Sequence, residues 1–230
     1  AHEERLRELF LQLLGGVTMT LSSEVSPEMR EYERLPTACA NAYVQPMMGR
    51  YLVNLETLLH EAGFGCPLYL MTSGGGLTTV DTAIRFPVRL VESGPAGGAI
   101  FAGHIARQCA LDKVLSYDMG GTTAKICLID DLQPQTSRAF EVARVYRFKK
   151  GSGLPLRIPV IEMVEIGAGG GSIARVDPLK RITVGPDSAG ADPGPACYGQ
   201  GGTMPSVTDA DLLLGRIDPT GFSGGRMALD

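Results

Sequence analysis

The sequence predicts an α/β layered fold, and three observations carry that prediction. Apolar strand-like runs end repeatedly in glycine loops, helical segments follow those loops, and one glycine loop joins two strands directly. Between residues 65 and 130 the order is regular. Strand Pro67–Met71 leads through Ser73-Gly-Gly-Gly76 to a helix at Thr79–Arg85. Strand Val88–Val91 leads through Ser93-Gly-Pro-Ala-Gly-Gly98 to a helix of small residues at about Ala99–Ala110. A third strand, Lys113–Tyr117, ends at Asp118-Met-Gly-Gly-Thr-Thr123, and Lys125–Ile129 leaves that loop as a fourth.

The flanking regions read differently. Leu6, Leu9, Phe10, Leu13 and Leu14 recur at helical spacing, which predicts an amphipathic helix over 3–14. Val17–Leu21 has a short strand pattern, and Ser26-Pro27 is a helix start with proline at the first helical position. A longer helix runs from about Cys39 to Glu61 and stops at Gly63 and Gly65. Pro46 either kinks it or begins a second helix. Phe140, Val142, Val145 and Phe148 alternate as a β ribbon, and the basic run Arg144–Lys150 reads as its exposed edge. Beyond 151 the chain reads as short strands and long ordered loops. It closes on a helix at Thr208–Leu214 that stops at Gly215.

Composition removes several function classes. The chain has 230 residues, 44% hydrophobic and 20% charged, with a formal net charge of −4. Its 30 glycines are nearly twice the usual share. Together with the 15 prolines they still fall short of the level typical of low-complexity chains. Mild acidity argues against a nucleic-acid or membrane-surface partner, because phosphate binding on that scale needs a basic face. No apolar run is long enough to span a bilayer. Five cysteines without a close CxxC pair fit a reducing cytoplasm. The missing initiator Met and the abrupt end at Met227-Ala-Leu-Asp230 read as a piece of a longer chain.

Four glycine-rich segments are candidates for chemistry. In Asp118-Met-Gly-Gly-Thr-Thr123, the glycines let backbone N–H groups approach an anion and the hydroxyls add donors. Asp118 stands where a carboxylate would hold Mg²⁺ beside phosphates. A plain hairpin turn explains the same residues equally well. Ser93–Gly98 opens a helix and so presents N–H groups to an anion, or it serves close helix–strand packing. Ser73–Gly76 passes close to a flat ring or forms a turn. In Gly167-Ala-Gly-Gly-Gly-Ser172, consecutive glycines are costly to order, which points to a ligand or to closely packed backbone. The histidines and cysteines take the plain reading: His2 and His60 solvated, His104 packed, and the cysteines small buried thiols. No GxSxG elbow is present.

Several motifs occur together in one order: Glu31-Tyr-Glu-Arg34, Asn41-Ala-Tyr43, Ser93–Gly98, Asp118-Met-Gly-Gly-Thr122, Glu165-Ile-Gly-Ala-Gly-Gly-Gly-Ser-Ile173, Gly185-Pro-Asp-Ser-Ala-Gly190, Pro193-Gly-Pro-Ala-Cys-Tyr-Gly199 and Thr208-Asp-Ala-Asp211. Their combination closely resembles the hydantoinase A / 5-oxoprolinase family, in particular its ATP-hydrolysing N-methylhydantoinase branch, from about residue 20 to the end. The resemblance implies an actin, sugar-kinase and heat-shock-70-like (ribonuclease H-like) ATPase architecture, incomplete here, with an irregular β-rich glycine-loop region. It implies residues 1–64 as the helical end of a truncated N-terminal region and 65–230 as the nucleotide-binding domain, truncated at its C-terminus.

The implied activity is opening of a hydantoin or 5-oxoproline-type ring with ATP hydrolysis. Relatives serve as subunits of ATP-dependent ketone carboxylases, and a non-catalytic nucleotide-binding module is the third expectation. Phosphoryl transfer to the amide oxygen would leave a centre that water attacks readily, and such transfer depends on positioning and charge neutralisation. The implied cofactors are ATP and Mg²⁺ or another divalent metal, with Asp118 organising metal or water. Gly120, Gly121, Thr122 and Thr123 would cradle phosphate, and Lys125 stands where many relatives carry an acidic residue. Ser93, Gly94, Gly97 and Gly98, with Gly169, Gly170, Gly171 and Ser172, would complete the nucleotide cleft. Asp209 is a further metal candidate beside the alternative of a helix cap, for which Thr208 and Asp211 have the spacing. The implied partners are a small cyclic amide and a hydantoinase B-type subunit or further copies of the chain, with no nucleic acid and no membrane. The isolated piece is expected to be inactive and its setting cytoplasmic.

Overall fold

A computed structural model of the chain describes residues 2–146, 149 and 151–230. These fall into two compact units, the first comprising residues up to 114 together with 129–162, the second 115–128 together with 163–230. The first unit does not stop at residue 64, because Leu52 of the long N-terminal helix shares a core with Val80 and Ala83.

The first unit opens with α1 (His2–Leu13), α2 (Ser22–Val25) and α3 (Glu31–Glu61). The early helix is as expected; the second differs. Ser26-Pro27 does not start a helix, and α3 begins after Arg30, which turns through a positive φ of 75°. Pro36 and Pro46 both lie inside this single helix. Burial of Thr37, Asn41 and Leu52 along it explains why packing overrides the two missing N–H groups. Asn41 is fully buried, and its Nδ2 donates to Thr20 Oγ1 at 3.0 Å and to the Arg85 carbonyl at 2.9 Å. Residues 17–21 therefore run as an extended segment tied to α3, not as a strand of a sheet.

β1 (Tyr69–Met71) and β2 (Leu77–Thr79) form an antiparallel hairpin that leads into α4 (Val80–Arg85), whose N-cap is Thr79. The predicted strand at 88–91 is a 3-10 turn, Pro87–Leu90. Two polar side chains fix it there. Asn41 Oδ1 accepts from the Val88 N–H at 3.3 Å, and Ser73 Oγ lies 2.7 Å from the Arg89 carbonyl and 2.5 Å from that of Val91. α5 (Ser93–Gln108) follows, then β3 (Lys113–Met119) and β4 (Ala124–Asp130), whose residues divide between the units. β5 (Gln133–Pro134) pairs with the end of β4, β6 (Thr136–Ser137) with β9 (Val160–Ile161), and β7 (Phe140–Val142) with β8 (Leu154–Leu156). The expected ribbon over 139–148 is thus regular only at Phe140–Val142; Arg147, Phe148 and Lys150 lie outside the described residues. Val25, Val88, Leu156, Ile158 and Val160 form an apolar cluster of this unit.

In the second unit β10 (Val164–Ile166) adds to β4, giving the strand order β10-β4-β3. β11 (Ser172–Val176) and β12 (Ile182–Ser188) make an antiparallel ribbon, and α6 (Val207–Leu213) ends before Gly215, where φ is +69°. The pairings β1–β2, β10–β4, β11–β12, β4–β5, β6–β9 and β7–β8 are antiparallel. Among the described residues no helix is long and apolar enough to cross a membrane.

Candidate functional site: a braced glycine-threonine loop

The second unit brings Asp118–Thr123, Gly167–Ser172 and the start of α6 together. β3 ends at Met119, and the Gly120 N–H donates to the Thr123 carbonyl at 2.9 Å, closing the turn into β4. Asp118, Gly121 and Thr122 are exposed. Among the described residues the Asp118 carboxylate has no hydrogen-bond or ion-pair partner, and the Gly121 and Thr122 N–H groups and both threonine hydroxyls donate to no protein acceptor. The turn thus carries free donors at 121–123 a few residues after a free carboxylate.

The triple-glycine segment has the opposite character. Gly170 and Gly171 donate to the Gly120 and Gly121 carbonyls at 2.9 and 2.7 Å. The Gly169 N–H donates to the fully buried Ser172 Oγ at 2.9 Å, and the Ser172 N–H to the Gly169 carbonyl at 3.0 Å. All four donors are committed inside the protein. Gly169, Gly170, Gly171 and Ser172 thus spend these N–H groups on bracing the loop. The glycines are needed for close approach: a Cβ on Gly169 would lie 2.5 Å from Thr122 N and 2.6 Å from Gly120 O. Thr208 continues the stack, its N–H donating to the Gly170 carbonyl at 2.8 Å. Gly185 is a further bracing residue, with φ +71°, and an added Cβ there would meet the Gly167 carbonyl at 2.9 Å. Residue type alone does not mark Thr208 or Gly185 for this role; only the Gly-Pro turn of Gly185-Pro186 hints at it.

Asp209 serves the helix start. Its Oδ2 accepts from Ser206 N at 2.7 Å and Ser206 Oγ at 2.8 Å, and its Oδ1 from Cys197 N at 2.8 Å. The capping box is Ser206 with Asp209, two residues earlier than the Thr208–Asp211 spacing implied. With both oxygens accepting hydrogen bonds, Asp209 caps the helix. Burial alone would raise its pKa, but the donors from Cys197 and Ser206 outweigh that and hold the carboxyl below its ordinary 3.8. Burial, reinforced by Asp209, pushes the Cys197 thiol up to about 11, so it stays protonated and inert. The unfolded chain binds the Asp209 proton more readily, so this group's stabilisation is present above pH ~4 and is lost as pH falls through the depressed folded value. Asp209→Ala is expected to cost about 2–3 kcal/mol in urea unfolding at pH 7, through the lost cap and the stranded Cys197 and Ser206 donors, with the deficit narrowing on acidification.

Two other predicted groups remain. Lys125 lies, as expected, on the strand that leaves the loop, β4, opposite Glu165 of β10. Ser93, Gly94, Gly97 and Gly98 belong to the first unit and lie inside α5, which starts six residues earlier than predicted, after Glu92 in the left-handed region at φ 61°. Pro95 has no N–H, and Gly97 and Gly98 fall within the helical ladder, so only Ser93 and Gly94 keep first-turn donors. A Cβ added at Gly97 would lie 3.7 Å from Met71 of β1, ordinary contact for a small residue on a helix facing a strand. His104 is exposed, contrary to expectation, stacked on Phe101 and 3.1 Å from Gln108. Of the cysteines, Cys127 and Cys197 are buried but Cys39, Cys66 and Cys109 are exposed. No group of three or more His, Cys, Asp or Glu among the described residues could hold a metal.

The fold places the chain among mixed α/β proteins built like parts of ATP-dependent enzymes. A nucleotide-free acetone carboxylase structure, from work on ATP-dependent acetone carboxylation, matches all of the chain and 31% of its own length, with a TM-score of 0.74 at 26% identity. The crystal structure of ATP-dependent caprolactamase from Pseudomonas jessenii matches 100% of the chain and 32% of its own length, at TM-score 0.73 and 35% identity. The chain belongs to the hydantoinase/oxoprolinase family, whose sequence profile matches residues 34–230. Caprolactamase subunit alpha of Pseudomonas jessenii is 37% identical over 230 residues, covering 100% of the chain and 32% of the relative. The chain thus spans about a third of that relative's length.

Proposed function

We propose that the chain supplies the phosphate-contacting loop of an ATP-dependent enzyme that opens a cyclic amide. One observation carries this reading: on the turn from β3 to β4, the exposed Asp118 carboxylate is followed by the uncommitted N–H groups of Gly121 and Thr122 and the hydroxyls of Thr122 and Thr123. Kinship with an ATP-dependent caprolactamase supports nucleotide and ring amide as the reactants.

The donor set fits a nucleotide polyphosphate with its divalent cation. Magnesium needs only one or two protein carboxylates when phosphates supply the other ligands, and Asp118 is one such group. ATP, when bound, supplies the phosphoryl group that turns the amide oxygen into part of a better leaving arrangement. The chain's own part is positional. Gly121 and Thr122 N–H groups and the threonine hydroxyls orient phosphate oxygens and offset their charge, and the brace behind them keeps those donors fixed. Lys125, on β4, adds positive charge near the loop. Partner subunits enter the same reading, since the caprolactamase relative is a subunit alpha.

A ketone carboxylase subunit is the second reading, favoured by the likeness to acetone carboxylase. The two separate on one measurement with the complete enzyme. Ring-amide-dependent ATP turnover without bicarbonate is the expected outcome; turnover that requires bicarbonate and a ketone would establish the second reading instead.

A further inference from the structure

The first unit contains a cavity of about 690 Å³, a size typical of small-molecule sites, and every residue lining it belongs to that unit. Its walls come from the end of α2, the β1–β2 hairpin, α4 and the β6–β9 ribbon. Two guanidinium groups on these walls have no carboxylate partner among the described residues. Arg89 is held in place by the Val25 carbonyl at 3.0 Å and by the Phe86 ring, 4.7 Å from its guanidinium carbon, and burial pulls its pKa down. Arg138 is exposed and makes no hydrogen bond or ion pair among the described residues. The third arginine, Arg157, is already paired with Glu33 at 2.7 Å, and Glu28 is the acidic group on the wall.

A separate observation points to a ligand in the same place. Ser26 lines the cavity, is 1% exposed, and among the described residues its buried Oγ has no hydrogen-bond partner. Orphaned buried hydroxyls are uncommon and costly, so this one calls for an acceptor or donor from outside the chain. The rest of the lining includes the apolar residues Leu77, Phe86 and Pro159, none of them buried.

We propose that this cavity binds a small organic carboxylate with an apolar body, the carboxylate held by Arg89 and Arg138 with the Ser26 hydroxyl as a further donor. Two unpaired guanidiniums outweigh the single Glu28, which sets the sign of the ligand. The apolar wall selects an organic body over a bare inorganic anion. Arg89 is the positioning element, because its backbone anchor and ring contact fix its guanidinium before any ligand arrives.

The test uses sodium pentanoate, pentylamine and inorganic phosphate as probes, titrated into the chain by calorimetry or by NMR shift changes. Saturable binding of pentanoate is expected, at least about tenfold tighter than either other probe. Arg138→Gln should weaken it about tenfold or more, the worth of one charged hydrogen bond, without lowering the melting temperature, since Arg138 is exposed. Ser26→Ala should weaken pentanoate several-fold while leaving the free protein as stable or more so. Absent pentanoate saturation, equal binding of phosphate or pentylamine, or unchanged affinity in a folded Arg138→Gln protein would each overturn the proposal. Nucleotide-loop variants such as Asp118→Asn should leave pentanoate binding intact, so this site and the phosphate loop stand or fall separately.

Discussion

Gly169→Ala is expected to lower the melting temperature of the chain by about 6–12 °C, the equivalent of roughly 3 kcal/mol in a protein of this size. The cause is steric and local. A methyl group at 169 would meet Thr122 N at 2.5 Å, Gly120 O at 2.6 Å and Gly121 C at 2.6 Å, all of them backbone. Backbone cannot rotate away as a long side chain can, so either the 120–122 turn moves or the 169–172 segment does. Both routes break the Gly170→Gly120 and Gly171→Gly121 hydrogen bonds. Gly121→Ala is the matched control. A Cβ there meets nothing within 4 Å and its φ is not in the left-handed region, so its cost should stay within about 1 kcal/mol. Equal melting temperatures for the two variants would remove the brace from the account.

Asp118→Asn is expected to cut ATP turnover of the complete enzyme by about 10²-fold or more, the size of effect seen when one preorganised electrostatic group is lost. Stability should change by no more than about 0.5 kcal/mol, because the side chain is exposed and unpartnered. A second readout distinguishes its role from a general disturbance. A bare carboxylate repels phosphate, so the Asp118→Asn enzyme should bind metal-free nucleotide at least as well as the unsubstituted enzyme does. It should also gain less from added Mg²⁺. Unchanged turnover, or an unchanged gain from Mg²⁺, would exclude the metal-organising assignment.

The elements that depend on local sequence were readable. α1, α4 and α6, the strands β1, β3 and β4, and the loop joining β3 to β4 all fall where spacing, proline and glycine placed them. The misplacements have tertiary causes. Val88–Val91 has strand-forming residues, yet Asn41 and Ser73, distant in sequence, hold it as a 3-10 turn. Ser26-Pro27 has the chemistry of a helix start, yet α3 begins after Arg30 and runs through two prolines because its buried face is satisfied elsewhere.

The candidate site shows the same division. That Asp118-Met-Gly-Gly-Thr-Thr123 forms a strand-to-strand turn rich in donors follows from residue types alone, since glycine frees the backbone and threonine adds hydroxyls. Residue type also showed that three consecutive glycines at 169–171 need a reason, but it left two reasons standing. Only the tertiary structure chose between them, because a free N–H and one bonded to a carbonyl far along the chain look identical in a sequence. The same holds for Asp209, whose carboxylate type suits a metal or a cap until Ser206 and Cys197 are seen to occupy its oxygens. Residue chemistry thus determined which groups were available, and long-range packing decided which of them remained free to act.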